Sequence, residues 1–233
     1  MRREVLNPRL SVVAEFVRQG AKFADIGTDH AYLPLSLLAD GKISEAVCSD
    51  INEGPLDSAR RNAAERGFSD KCEFVLTDGA SALAGKGITD YAICGMGGEL
   101  IADIISRAPH LKDESLSLVL QPMSRQSALR KYLASDGFSI VAEGYSCDAG
   151  RYYVCMLVKY TGRIRYIDDV EAELGAENID IVNKDMQISY LEIKKASLTR
   201  SAEGKRAGGY DAEGDEALVA KIEEKIRKVR EEK

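Results

Sequence analysis

Short apolar runs alternate with helix-patterned segments along most of the chain, and no other feature limits the fold so narrowly. Strand-like runs fall at 21–27, 45–51, 72–77, 90–94 and 116–121, with helical spacing at 32–40, 54–66, 99–107 and 125–135. Such alternation predicts a parallel sheet covered by helices on both faces. Asn7-Pro8 opens one further helix ahead of the first strand: Asn can cap, and Pro suits the first helical position. Leu10, Val13, Phe16 and Val17 then recur at helical spacing, and Gly20 ends the segment. Two more strand-like runs, 138–145 and 151–160, have no helical segment between them and are expected to pair antiparallel. The predicted fold is therefore α/β: a doubly wound, Rossmann-like, seven-stranded sheet with an antiparallel edge.

After about residue 162 the character changes to a strongly charged tail. Ile179, Val182, Met186, Tyr190 and Ile193 follow a three-four spacing, as do Leu218, Ile222, Ile226 and Val229. Stripes of this kind are the seams of packed amphipathic helices. A helical hairpin, or short coiled coil, over 170–200 and 216–231 is predicted, with the Gly-rich stretch 201–215 as its loop. The expected domains are 1–162 and 163–233.

The 233 residues carry 32 Lys and Arg against 38 Asp and Glu, a net charge of −6. That balance weighs against a nucleic-acid partner unless a basic patch is concentrated locally. Five cysteines without a CxxC pair, and two histidines, predict no metal site. Scattered cysteines suit a reducing cytoplasm, and the basic N-terminus lacks a signal-peptide pattern. No apolar run reaches membrane-spanning length, and a monomer is expected.

The chemistry concentrates at the strand ends, where open α/β sheets bind ligands. Asp25-Ile26-Gly27-Thr28-Asp29-His30 closes the first strand in a turn suited to a nucleotide-type ligand. The GxGxxG pattern is not met, and Asp29 would repel a pyrophosphate at the following helix, which argues against NAD or FAD. A cationic ligand without phosphate, such as S-adenosylmethionine, is compatible. Asp50 and Ile51 close the second strand; Asp50, 23 residues after Gly27, suits the ribose hydroxyls of an adenosine. Asp78-Gly79 closes the third, where the acid can accept from an adenine amine or simply make a turn. Cys94-Gly95-Met96-Gly97-Gly98 closes the fourth, exposing backbone N–H groups, and Gln121 closes the fifth. His110 reads as a surface residue.

Taken together, DIGTDHAYLPL, SDINEGPL, TDG, CGMGGELI and LQPMS resemble the bacterial TrmK family. The resemblance runs through residues 1–160 and extends to the charged helical tail. It implies a class I methyltransferase domain and methyl transfer from S-adenosyl-L-methionine to N1 of adenosine 22 in tRNA. Asp25, Gly27, Asp29, His30, Asp50, Ile51, Asp78, Gly79 and Gly95 would then bind the cofactor. Gly95 and Met96 would edge the methyl-transfer site, with Asp29 the acid nearest the reacting centre. The basic clusters of the tail, Lys194-Lys195, Arg200, Lys205-Arg206, Lys221, Lys225, Arg227-Lys228 and Arg230, would grip the tRNA, or else simply pair with the acids among them. The competing readings are a methyltransferase for a small molecule or protein, and a non-catalytic cofactor- or RNA-binding protein.

Overall fold

A computed structural model of the chain describes residues 6–177 and 179–231. Helix α1 (Pro8–Phe16) begins as its sequence dictates, with the Asn7 side chain accepting from the Leu10 amide and Pro8 in the first turn. There follow β1 (Ala21–Ile26), α2 (Tyr32–Ala39), β2 (Ile43–Asp50), α3 (Glu53–Glu65), β3 (Cys72–Leu76), β4 (Asp90–Gly97), α4 (Gly98–Ser106), β5 (Ser117–Ser124), α5 (Gln126–Ser135), β6 (Phe138–Asp148) and β7 (Arg151–Tyr160). The remainder forms α6 (Asp169–Leu174), β8 (Asp180–Val182), α7 (Lys184–Ala207) and α8 (Glu213–Glu231).

The strands form one eight-stranded sheet in the order β3-β2-β1-β4-β5-β7-β6-β8. Pairing is parallel from β3 to β5 and antiparallel where β7 meets β5 and β6. The chain direction of winding switches between β1 and β4, which is where such sheets open a crevice. Alternate residues of the central strands enter two separate cores, as the period of two requires. Ala24, Ile93 and Leu120 pack with α4 and α5 through Ile101, Ile104 and Leu129. Phe23, Ala92 and Val119 pack with α1, α2 and α3 through Val13, Leu35 and Ala59.

The sheet departs from expectation at its far edge. It has eight strands and not seven, because Ala142–Gly144 of β6 pair in parallel with Asp180–Val182. A strand from beyond residue 162 thus completes the main sheet, so the change in composition at 162 does not divide it. The helix expected over 170–200 is also broken in two. Gly175 ends α6 at φ +78°, and a Cβ there would lie 2.7 Å from Glu143 Oε2. The stripe from Ile179 through Val182 consequently belongs to β8 and its approach, and α7 starts only at Lys184.

The loop expected at 201–215 shrinks to the residues between Ala207 and Glu213. Residues 202–207 are strong helix formers around the single Gly204, and Ala202 is buried. Lys205–Asp215 and Arg206–Glu216 bridge α7 to α8 at 2.9 and 2.6 Å. The C-terminal helices bury Leu174, Leu191, Ile222 and Ile226 in a third core.

They are tied to the sheet by a buried polar cluster. Arg130 Nε donates to Glu143 Oε1 at 2.9 Å, Nη2 lies 2.8 Å from the same oxygen, and the Tyr145 hydroxyl donates to Oε2 at 2.5 Å. Arg130 Nη1 also donates to the Ala172 carbonyl, Lys194 to that of Glu173, and Lys225 to those of Leu174 and Gly175. Three cations therefore satisfy the carbonyls that α6 leaves open at its C-terminus, where the helix dipole favours positive charge.

Candidate active site

The carboxyl ends of β1 to β5 finish at a common level. Ile26 lies beside Ser49 and Ile93, Asp50 beside Leu76, and Cys94 beside Gln121. Backbone bonds continue the alignment past the strands: the Gly27 and Thr28 amides both donate to the Ser49 carbonyl at 2.8 Å, and Thr77 N donates to that of Asp50 at 2.9 Å. Gly27, Asp50, Thr77, Cys94 and Gln121 thus share one rim.

At β1 the conformation is set by Gly27, whose φ is +76°. A Cβ at this position would sit 2.1 Å from Met96 Cε. The fourth strand's methionine therefore covers the first strand's glycine; a side chain here would have to push the Met96 terminus aside and would strain the left-handed backbone. Asp25 is 8% exposed and accepts from Thr28 Oγ1 at 2.7 Å. Burial pushes its carboxyl up to about 6, against the lowering by Thr28 and Arg9. Asp29, by contrast, has a side chain 78% exposed, with its Oδ2 3.4 Å from His30 Nε2. The His30 and Tyr32 rings lie 5.1 Å apart, and the His30 carbonyl is held by Asn62.

Asp50 is half-buried and accepts from the Asn52 amide at 2.8 Å, while Ile51 is exposed. Asp78 turns to Arg107, which donates to its two oxygens at 2.8 and 3.3 Å. That guanidinium holds the Asp78 carboxyl below its ordinary range. Gly79 has φ +82° and abuts Ile104.

The glycines after Cys94 are not the free loop their composition suggests. β4 continues to Gly97, and its register against β5 shifts on both sides of Met96. Gly95, at φ +78°, is the residue this bulge requires. Its amide donates to Gln121 Oε1 at 3.2 Å, and the same oxygen takes Arg9 Nη1 at 2.6 Å. Gln121 is fully buried, so its amide is a rigid post joining α1 to the bulge. Burial pushes the Cys94 thiol up, which leaves it neutral and unreactive at this edge. Arg9 is absent from any motif at the strand ends. Only the fold brings it across the 112 residues that separate it from Gln121.

The rim presents carboxyl groups and backbone amides, with glycines permitting close approach. It suits a cationic ligand carrying an adenosine group, and the acids at β1 would repel a pyrophosphate. A cavity of about 560 Å³ lies elsewhere, between α6 and α8. Its charges largely neutralise one another, through Arg165–Glu171, Lys221–Glu224 and Lys228–Glu177. Among the described residues no cluster of His, Cys, Asp and Glu could hold a metal ion, and no helix is long and apolar enough to cross a membrane.

Comparison with known proteins supports this description. A methyltransferase-domain family model matches residues 6–156. The tRNA (adenine(22)-N(1))-methyltransferase of Bacillus subtilis is 32% identical over 171 residues, covering 73% of this chain and 71% of that protein. A Streptococcus pneumoniae protein solved in complex with S-adenosyl-L-methionine is 30% identical, with a TM-score of 0.77 over 97% of this chain and 99% of that one. M. capricolum TrmK, solved with S-adenosyl-homocysteine, is 26% identical, with a TM-score of 0.78 over 96% of this chain and 99% of that one. A methyltransferase domain over residues 6–156, well over half of the chain, a full-length structural match and the rim motifs all agree: the chain belongs to the TrmK family of S-adenosylmethionine-dependent methyltransferases.

Proposed function

We propose that this chain transfers a methyl group from S-adenosyl-L-methionine to N1 of an adenine in tRNA, at the position named for its Bacillus subtilis relative, adenosine 22. The observation that carries the reading is the row of strand ends, with Asp25 buried and held by the Thr28 hydroxyl at the switch point between β1 and β4. The acceptor is taken from the relative.

When bound, the cofactor supplies a methyl group on a sulfonium to the N1 lone pair. N1 carries no proton in adenine, so the protein needs no general base. Asp25, Gly27, Asp29 and His30 border the amino-acid and sulfonium end in this reading, and Asp50, Ile51, Asp78 and Gly79 the adenosine. Gly95 and Met96 edge the transfer site. Gln121 and Arg9 hold the Gly95 bulge, so that its position is fixed before the reactants arrive. The product base is a cation, and the exposed Asp29 carboxylate is the acid we assign to stabilise it. In a paired region N1 is occupied, so the nucleotide must leave its stack to react.

Residues 1–162 supply the catalytic part in this reading, and 163–233 help hold the tRNA. Many of the tail's cations are committed elsewhere: Lys194 and Lys225 to α6, Lys205 to Asp215, Arg206 to Glu216 and Lys228 to Glu177. Among the described residues Arg200 and Arg227 make no ion pair. They are the phosphate contacts we assign. The cysteines are all free, which fits the cytoplasm where tRNA is processed.

Incubating the chain with tRNA and labelled cofactor, then mapping the modified nucleosides by mass, tests the reading. N1-methyladenosine at a single site is expected. Label that stays out of tRNA overturns it.

A further inference from the structure

We infer that Arg125, with Met123 and Leu100, forms the receiving surface for the acceptor nucleotide, the guanidinium taking its phosphate and the two apolar side chains bearing on its base. The inference rests on the proposed transfer to tRNA and adds which residues beside the transfer site hold the RNA.

The β4–α4 and β5–α5 connections lie side by side. Gly97 pairs with Ser124, and a Cβ on Gly98 would lie 2.3 Å from the Arg125 carbonyl oxygen. That oxygen also accepts from Leu129 N at 3.1 Å. Close packing against Gly98 holds Arg125 at φ +58°, φ 58 and ψ 37 being a left-handed conformation that non-glycine residues seldom adopt. Asn or Gly would sit there at less cost. The Arg125 side chain gains nothing internal in return: it is 71% exposed, and its ion-pair contact is Glu99 Oε1 at 3.9 Å, beyond hydrogen-bonding distance.

The same two connections leave large apolar side chains in water, Leu100 49% and Met123 40% exposed. Leu100 follows the Gly95–Gly97 bulge by three residues, and Met123 lies across the sheet from it, between Pro122 and Ser124, which pair with Met96 and Gly97. The Gln121 post that fixes the bulge precedes Met123 by two residues. A cation that can grip a phosphate bidentately, beside apolar surface a base can lie on, matches the two chemistries of one nucleotide. It also places positive charge on an acidic protein where the RNA must approach. Backbone contacts of this kind orient the nucleic acid without reading its sequence.

Three variants test the inference on the full-length protein, using steady-state methylation of tRNA and calorimetry with S-adenosylhomocysteine. Arg125→Ala should raise KM for tRNA about 10-fold, the worth of one charge-assisted contact. It should also lower the salt slope of tRNA binding by about one, with cofactor affinity unchanged. Arg125→Gly relieves the left-handed backbone and should lose tRNA binding equally, which separates the side chain from the strain. Met123→Ala should lower kcat/KM for tRNA and leave the salt slope alone. Arg125→Ala or Arg125→Gly with wild-type KM and salt slope overturns the inference. A wild-type chain that transfers no methyl group to tRNA overturns the functional reading instead, which the wild-type control shows separately.

Discussion

Asp25 and Glu143 are both withdrawn from water, yet they keep very different company. Glu143 is met by Arg130 through two nitrogens and by the Tyr145 hydroxyl, with Gly175 closing over it. Asp25 has the Thr28 hydroxyl and the more distant charge of Arg9. A buried carboxylate with its partners in place is a joint between parts of the fold. One that meets a hydroxyl and no close cation among the described residues is held ready for a charge that comes from outside. The two positions should therefore respond oppositely: change at one should cost stability, and at the other ligand binding.

The largest effect is expected at the joint. Arg130→Ala leaves Glu143 buried and uncompensated, which should cost about 3–5 kcal/mol in denaturant unfolding. Replacing Arg130 and Glu143 together with Met should cost much less. Equal losses in the single and double variants would break the comparison. Next, Asp25→Asn should weaken S-adenosylmethionine binding by about 1.5–3 kcal/mol, the range for a hydrogen bond to a charged group. Its melting temperature should not fall, since the amide removes a buried ionisable group. A loss of stability without a loss of affinity would make Asp25 structural as well.

A pH profile sharpens the same contrast. Asp25 titrates near 3.8 in an unfolded chain and near 6 when folded. Between those values the folded chain holds the extra proton, so its contribution to stability falls as pH rises through that window. Affinity for a cationic ligand should rise over the same window, because the ligand selects the ionised carboxylate. Calorimetry from pH 5 to 8 would show this, and Asp25→Asn should flatten the curve. The smallest effect is expected on the tail. Arg227→Ala should change stability by less than about 0.5 kcal/mol, yet reduce the salt slope of tRNA binding. Lys225→Ala, which uncaps α6, should cost about 1 kcal/mol of stability.

What could be read in the chain beforehand follows from the range of the forces involved. The β–α alternation, the capped start of α1 and the strand ends at Gly27 and Asp50 are local patterns, and they stand where expected, whereas β4 runs past Gly95 to Gly97. β8 was hidden because Asp180–Val182 is too short to show a period of two, and Ile179 and Val182 fit a helical stripe equally well. Its existence depends on β6 offering an edge. Arg9 was hidden for the same reason, since its partner lies on β5. Even among the rim acids, the geometry separates what spacing made alike: Asp25 is buried, Asp50 is half-buried and Asp78 is turned to Arg107. By sequence Lys194 and Lys225 belong to a basic face, but α6 lies beneath them and takes both to its carbonyls.

The return of β8 onto β6 bears on how the chain can be shortened. A fragment ending near residue 162 would keep every residue of the rim but would strip β6 of its neighbour. The N–H and C=O groups around Ala142–Gly144 would then face solvent along an open strand, an invitation to self-association. The Arg130–Glu143 pair would lose the α6 carbonyls and Gly175 that now seal it. Such a truncation should precipitate before its activity could be judged, whereas a cut between α7 and α8 keeps β8 on β6 and removes only Lys225 from the α6 carbonyls and the α8 side of the third core.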